Sequence, residues 1–286
     1  MPLVYACIAP HGGEVIEELA TKLTVKKFQA TREGMKRLAR EVKRARPDTI
    51  VIASPHNLRL WGRIGVVLAN YSSGRLQASP QNKNYVTLKV TCDTEFAEDL
   101  VDEGTGKGLP VVGANYGTSD GPASDMPMDW GTLIPLWFFT KGKGHKPKVV
   151  IVTPSREIPL RQNFEFGRVI ARVAEQRSSK KIVFVASADQ AHTYKKSGPY
   201  GFNRRAPEYD KLVLDAIRNN RLRRILDVDR KLIDQARADS VWQMAILAGI
   251  MDRIPMNGLV FSFQVPTYYG MICAGFKRTN SQAGLR

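Results

Sequence analysis

Two short apolar runs that each end in Pro-His constrain this chain more than any other feature of its sequence. The first run, Leu3 to Ala9, leads through Pro-His to His11, and the second, Thr49 to Ala53, leads through Ser-Pro-His to His56. Continuous runs of Val, Ile and Ala are typical of strands buried on both faces of a parallel sheet. The carboxyl ends of such strands share one edge, where ligands bind in open α/β sheets, so we expect the two histidines to lie side by side there.

Neutral imidazole is a common ligand of iron, zinc and copper, which makes this edge a candidate metal site. The alternative is that each histidine is hydrogen-bonded within a loop, but the repetition of one strand-Pro-His pattern favours the metal. A third run, Lys181 to Ala186, also ends in a polar segment, which closes at His192. The remaining histidine, His145, stands among Lys and Gly and is predicted to be a surface residue.

The apolar runs alternate with helical patterns, which indicates an α/β fold. A helix capped by Thr31 and running through Arg46 separates the first two runs, and this βαβ unit predicts parallel neighbouring strands. The polar stretch 72–83 is predicted to be a loop. We therefore expect one domain over residues 1–286 with a central, mostly parallel or mixed sheet and helices on both faces, and a disordered tail at 278–286.

The net charge of +16 raises the question of nucleic-acid binding. The basic residues lie mainly on helical stretches without a recognisable nucleic-acid motif, so solvated helix faces are favoured and no nucleic-acid partner is expected. A positive field still attracts anionic ligands. No apolar run is long enough to span a bilayer and no leader precedes the first strand, so we expect a cytoplasmic protein without a membrane partner. The three cysteines, which form no CxxC pair, are predicted to be buried thiols.

A metal site of this kind also needs a carboxylate. Asp239 stands directly before the apolar stretch that begins at Ser240, and it could face the site. The same position suits an amino-terminal helix cap, which is a common use of Asp. Both interpretations of Asp239 stay open at this point.

Five short motifs, in this order along the chain, resemble the class III extradiol ring-cleavage dioxygenases, and above all the type of the protocatechuate 4,5-dioxygenase catalytic subunit. The likeness extends from about Leu3 to Phe276. The motifs are Ala-Pro-His-Gly-Gly ending at Gly13, Ser-Pro-His-Asn ending at Asn57, Ala-Ser-Ala-Asp-Gln-Ala-His ending at His192, Ser-Gly-Pro-Tyr-Gly-Phe-Asn beginning at Ser197, and Ala-Asp-Ser-Val-Trp beginning at Ala238.

The resemblance implies a mononuclear non-haem Fe(II), with Zn or Mn as alternative metals, held by His11, His56 and Asp239. Asp239 stands where the family usually has Glu. His192 would be the acid/base, which suits a histidine because its ordinary pKa lies near working pH, and the alternative is a loop histidine bonded to backbone. The implied substrates are a small catecholic or aminophenolic compound and O2, and the family implies a homo-oligomer.

Two aromatic residues bear on the substrate pocket. Trp130 occupies the place of a histidine that the family often carries, and Trp offers one N–H donor and no exchangeable proton at neutral pH. It would line the pocket or be a core aromatic, and Tyr200, in a glycine turn, is a second candidate for the pocket wall. The departures at Trp130 and Asp239 support one alternative to ring cleavage, a non-catalytic, Memo-like member that binds a metal or peptide. A second alternative is a zinc-dependent hydrolase, because histidine and carboxylate also suit Zn.

Overall fold

Buried strands and amphipathic helices alternate along the chain. The computed structural model of the protein describes residues 2–22, 24–79, 82–142, 144–177 and 179–279. Its strands are β1 (Leu3–Ala9), β2 (Thr49–Ala53), β3 (Ile64–Val67), β4 (Tyr71–Ser79), β5 (Asn82–Thr91), β6 (Val111–Ala114), β7 (Asp125–Pro127), β8 (Lys148–Thr153), β9 (Ile182–Ser187), β10 (Met256–Gln264) and β11 (Met271–Arg278). Its α-helices are α1 (Thr24–Lys27), α2 (Gln29–Ala45), α3 (Thr94–Gly106), α4 (Trp130–Thr140), α5 (Leu160–Gln176), α6 (Ala206–Arg218), α7 (Arg230–Ala236) and α8 (Val241–Arg253).

Eight strands form one mixed sheet in the order β10-β11-β1-β9-β2-β8-β3-β6. The four central strands, β1, β9, β2 and β8, are parallel to one another, and antiparallel pairs flank them. A second, three-stranded sheet has the order β5-β4-β7. The predicted α/β class with a mixed sheet is confirmed.

Alternate residues of each central strand face two separate cores, because successive side chains of a strand point to opposite faces. On β2, Val51 and Ala53 join the core that includes α3, α5, α6 and α8, whereas Ile50 and Ile52 join the core that includes α2 and α4. All four side chains are fully buried. Both faces of the sheet are therefore covered by helices, which explains why these strands read as unbroken apolar runs.

One expectation about strand order is wrong. The β1–α2–β2 unit was expected to place its two strands next to each other, but β9 lies between them and pairs in parallel with both. The length of a βαβ crossover does not specify how many strand positions it passes, and the position left vacant is filled by a strand more than 120 residues later in the chain. The three strands still run parallel, so their carboxyl ends share one edge.

Two local expectations also fail. Residues 72–83, predicted to be a loop, mostly belong to the antiparallel β4–β5 hairpin, whose polar side chains face solvent on one side of the small sheet. Arg75 packs across the hairpin over the ring of Tyr85, with its Cζ atom 3.7 Å from the ring centroid. Thr31 does not cap α2, which begins two residues earlier; its backbone N–H and its hydroxyl both donate to the side-chain oxygen of Gln264, at 3.1 and 2.9 Å.

The carboxyl-terminal end of the chain is partly described. Arg278, which the predicted tail included, belongs to β11 and pairs with Met256. Residues 280–286 of that predicted tail lie outside the described residues. Within the described part of the chain, none of the helices combines the length and the apolar character that crossing a bilayer requires.

Candidate metal centre

The carboxyl ends of the four central parallel strands meet at one edge of the sheet, and each strand delivers a polar side chain there. His11 follows β1, His56 follows β2, Arg156 follows β8 and His192 follows β9. The segment that carries Asp239, between α7 and α8, packs onto the same edge, where its backbone N–H donates to the carbonyl of Gln190. The structure thus brings together residues from five distant parts of the chain.

His11, His56 and Asp239 converge on one point. The Nε2 atoms of the two histidines are 3.2 Å apart, and Oδ2 of Asp239 lies 3.6 Å from Nε2 of His11 and 3.2 Å from Nε2 of His56. The two imidazole planes are nearly perpendicular, at 89°. The edge of the sheet therefore presents two ring nitrogens and one carboxylate oxygen to a common centre.

The hydrogen bonds of His11 define its tautomer. Nδ1 of His11 lies 2.9 Å from the hydroxyl of Ser187, and that hydroxyl donates its hydrogen to the carbonyl of Gly131. A hydroxyl has one hydrogen to donate, so Nδ1 must be the donor to Ser187, and a neutral His11 then carries its lone pair on Nε2. An orienting bond of this kind on the far nitrogen is typical of metal-binding histidines.

Asp239 is a buried carboxylate held in place by a cation. Arg156 donates to Oδ1 of Asp239, while Oδ2 accepts no hydrogen bond of good geometry from any residue that the structure describes. Burial alone would raise the pKa of Asp239, but the two imidazoles and the Arg156 guanidinium hold it far below its ordinary range. Gln243, on the first turn of α8, donates to the Asp239 carbonyl at 2.8 Å and fixes the backbone beside it.

The alternative interpretation of Asp239 as a helix cap is wrong. Helix α8 begins at Val241, its N-cap residue is Ser240, and no side-chain cap bond is formed. The hydroxyl of Ser240 instead donates to Gln190 at 2.8 Å, which ties the segment to the end of β9. Asp239 is thereby free to face the two histidines.

The three donors suit a divalent transition metal. Ions of this kind bind imidazole nitrogen and carboxylate oxygen at about 2.0–2.2 Å, which places neighbouring ligand atoms roughly 2.8–3.6 Å apart in octahedral or tetrahedral geometry. The observed separations of 3.2–3.6 Å match that range. The unpartnered buried Oδ2 of Asp239 also needs a compensating charge, because an unpaired buried polar atom is unfavourable. Two histidines and one carboxylate with open positions are the ligand set of non-haem Fe(II) oxygenases, and Zn accepts the same donors.

His192 lines a cavity of about 350 Å³ together with His56 and Asp239. Its Nδ1 lies 2.8 Å from the carbonyl of Gln190, which can only accept, so Nδ1 carries the hydrogen and Nε2 the lone pair. Burial lowers the pKa of His192, which keeps the ring neutral and able to accept a proton. The bond to backbone, offered above as an alternative to a chemical role, thus leaves Nε2 available as a base.

The two predicted pocket aromatics occupy different places. Tyr200 lines the cavity with its ring 5.9 Å from that of His192, and the turn below it is closed by a bond from Gly201 N to the Gly198 carbonyl. Trp130 stacks on His56 at 4.3 Å and lines a different cavity, of about 200 Å³. Because Trp130 is 47% exposed, its interpretation as a core aromatic is wrong.

Asp129 stabilises the start of α4, the helix that begins at Trp130. It caps α4 by accepting from the backbone N–H of Thr132, and it also accepts from the hydroxyl of Ser54 at 2.8 Å. Ser54 is two residues from His56, so this carboxylate links the start of α4 to the loop of the second histidine.

His145 does not belong to this centre. As predicted, it is a surface residue, and its ring bonds to the carbonyl of Pro47.

Sequence reasoning missed several residues of this centre. Ser187 and Asp189 lie in the same polar segment as His192; Asp189 accepts from the backbone N–H of His11 at 3.1 Å and stands 3.5 Å from its Nε2. Arg156 follows β8 as the histidines follow β1 and β2, and that position at a strand end was the signal that could have found it. Nothing comparable in the sequence marks Arg237, which also lines the cavity.

Comparisons with known proteins place this centre in context. Residues 5–274 match the family described as the catalytic LigB subunit of aromatic ring-opening dioxygenase. Protein CA_C1420 of Clostridium acetobutylicum is 22% identical over 260 residues, which are 90% of this chain and 54% of that protein, so the chain spans about half the length of this curated relative. The crystal structure of the uncharacterized protein JW3007 from Escherichia coli K12 superposes with a TM-score of 0.58 at 17% identity, covering 95% of this chain and 99% of that one, which shows a shared fold.

Proposed function

Because the chain belongs to the family of the catalytic LigB subunit of aromatic ring-opening dioxygenases, we propose that it is a non-haem Fe(II)-dependent extradiol-type dioxygenase. Its substrates would be O2 and a small catecholic or aminophenolic compound. The single observation that carries the proposal is the convergence of His11, His56 and Asp239 beside a cavity that also contains a neutral histidine. That combination offers a metal position and a base to one ligand-sized space.

The metal position would be formed by three side chains of fixed orientation. Nε2 of His11, Nε2 of His56 and Oδ2 of Asp239 would bind the ion. An Fe(II) ion so held supplies open coordination positions and the redox chemistry with dioxygen. Arg156 occupies the other oxygen of Asp239, which favours binding through one oxygen and leaves more positions open.

His192 would move the proton. The lone pair on its Nε2 would accept the proton of a substrate hydroxyl, and the same nitrogen would return that proton to an oxygen of the product as the ring opens. Its neutral state before reaction follows from the lowered pKa. The stacked ring of Tyr269, 5.2 Å from that of His192, limits how the imidazole can turn and so helps to orient Nε2.

The test of this function starts from anaerobic purification and metal analysis, followed by reconstitution with Fe(II). Catechols and aminophenols are then screened on an oxygen electrode, with the absorbance of yellow ring-opened products recorded in parallel. We expect oxygen uptake in a one-to-one ratio with substrate. A preparation with one Fe(II) per chain and no uptake with any ring would refute the proposal.

Matched variants separate the roles of the histidines. His56→Ala should lose Fe(II) retention and turnover together, while His145→Ala, which changes a surface histidine outside the centre, should retain both. His192→Ala should keep its metal and lose turnover by at least about 100-fold, the usual contribution of a general acid/base. Full metal content in His56→Ala would remove the assignment of the site.

One observation favours a second candidate function. Trp130 stacks on His56 where the related enzymes often carry a histidine, and its indole cannot exchange a proton at neutral pH. A metal-binding protein without ring-cleavage activity, or a redox-silent zinc hydrolase, would tolerate this exchange. One zinc per chain after purification, together with the absence of oxygen uptake in the Fe(II)-loaded protein, would favour that alternative.

A further inference from the structure

The cavity beside the candidate metal centre has a strongly basic wall. Four arginines line it, together with His56 and His192. Three of these arginines have acidic partners, in the pairs Arg59–Glu157, Arg156–Asp239 and Arg230–Asp234. Those three charges are largely compensated within the protein.

Arg237 is the fourth arginine, and its charge is not compensated. Its side chain is exposed and forms no hydrogen bond or ion pair with any residue in the described ranges; only its backbone N–H bonds, to α7. A guanidinium that lines a concave surface without a partner attracts an anion and can bind a carboxylate or phosphate through two parallel N–H donors. The cavity therefore offers one free cationic group to a ligand.

The backbone places this group at a defined position. Arg237 ends α7 in the left-handed conformation, at φ 49° and ψ 47°, two residues before Asp239. Gly usually occupies this position of a helix end, because a Cβ is unfavourable there. The conformation alone does not indicate function, since Arg46 ends α2 in the same way, at φ 47°, and does not line this cavity. The distinguishing feature of Arg237 is its location.

We propose that Arg237 determines specificity by binding an oxyanion substituent of the ligand, a carboxylate or a phosphate, at the rim of the cavity. The proposal rests on the proposed function for the aromatic nature of that ligand. A volume of about 350 Å³ suits one substituted aromatic ring. The ring would lie toward His192 and Asp239, and the anionic substituent toward Arg237.

The test measures equilibrium binding by calorimetry to the metal-loaded protein, with three probes that lack adjacent hydroxyl groups and so cannot be cleaved. They are 4-hydroxybenzoate, phenyl phosphate and the uncharged 4-hydroxybenzamide. We expect one of the anions to bind about tenfold more tightly than the amide, as a charge-assisted hydrogen bond to the Arg237 guanidinium implies. High salt should reduce this preference. The preferred anion identifies the substituent.

Two glycine variants make the test specific. Arg237→Gly should abolish the preference for the anion, and Arg237→Lys should restore part of it. The matched control, Arg46→Gly, removes an arginine of the same conformation elsewhere and should leave the preference intact. Both glycine variants should keep or raise the melting temperature, because Gly suits the left-handed position, so misfolding does not account for a loss.

The outcomes separate this inference from the proposed function. An undiminished anion preference in Arg237→Gly, equal weakening of all three probes, or no binding of either anion would overturn the role of Arg237. Anion preference that depends on Arg237, with no oxygen uptake in the screen above, would support this inference and refute ring cleavage. Oxygen uptake without any anion preference would support ring cleavage and refute the role of Arg237.

Discussion

Helices α5 and α8 meet through two glycines, and substituting one of them gives a sharp test of the packing that positions Asp239. A Cβ added at Gly249 would lie 1.9 Å from the carbonyl oxygen of Phe164, and one added at Gly167 would lie 2.0 Å from that of Ile246. Both obstacles are backbone atoms, so no side-chain rotation can relieve the clash. We therefore expect Gly249→Ala to be destabilising although Ala is the better helix former.

The size of the effect follows from the distances. Real Cβ atoms essentially never approach other heavy atoms within 3.0 Å, so a Cβ at 1.9 Å requires the helices to separate by about 1 Å. Overpacking of this kind costs about 1–3 kcal/mol, and rigid backbone places it at the upper end. Ala regains at most about 1 kcal/mol of helix propensity. The net loss is about 2 kcal/mol, or roughly 4–8 °C in melting temperature for a chain of this size.

The displacement should also reach the metal centre. Gln243, on the first turn of α8, bonds to the carbonyls of both Ser187 and Asp239, so a shift of the helix changes where Asp239 points. Thermal unfolding and a metal titration would be measured together on Gly249→Ala. We expect a lower melting temperature and weaker metal binding.

Gly106→Ala is the matched control, because Gly106 is the last residue of α3 and a Cβ there meets nothing within 4 Å. This variant should keep or slightly raise the melting temperature and should not change metal binding. A melting temperature of Gly249→Ala at or above that of the unchanged protein would refute the reasoning about the helix contact.

Three further predictions concern the centre and its supports. Ser187→Ala removes the acceptor that orients His11 and should weaken metal binding about 10–100-fold in a chelator competition, and an unchanged affinity would contradict the tautomer assigned to His11. The kcat/KM of the proposed ring cleavage should fall only below the ordinary histidine pKa of about 6.5, because burial lowers the pKa of His192. An acid limb at or above that value in a pH profile would contradict the role of His192. Burial raises the pKa of Asp210 to about 7, so the folded state retains a proton that the unfolded chain loses near pH 4. The free energy of unfolding should therefore fall as the pH rises from about 4 to 7. Asp210→Asn should remove this slope in urea unfolding at pH 5 and 8, and a slope that persists would show that another group causes it.

The strand-Pro-His pattern was sufficient to predict that His11 and His56 would lie together, and in the structure their Nε2 atoms are 3.2 Å apart. The prediction succeeded because it needed only two local facts, that an apolar run forms a buried strand and that parallel strands end at one edge. It did not depend on which strands are neighbours. The same logic placed His192 at that edge and would have placed Arg156 there, since it follows β8.

The polar segments were less predictable. The stretch 72–79 of β4 carries too few apolar side chains to indicate a strand, and its pairing with β5 decides its conformation. Thr31 had the chemistry of a cap, but a glutamine 233 residues away takes its hydrogen bonds. Local composition cannot report a partner so distant in sequence.

The sequence by itself determined the α/β class, the apolar strands and the polar residues at their carboxyl ends, because each depends on the periodicity and chemistry of neighbouring residues. Only the tertiary structure decided that β9 lies between β1 and β2, that Asp239 faces the two histidines instead of capping α8, and that Arg237 shares their cavity. These arrangements depend on the packing of whole helices against the sheet, such as the glycine contact between α5 and α8. Such packing brings together residues far apart in sequence, and no local pattern encodes it.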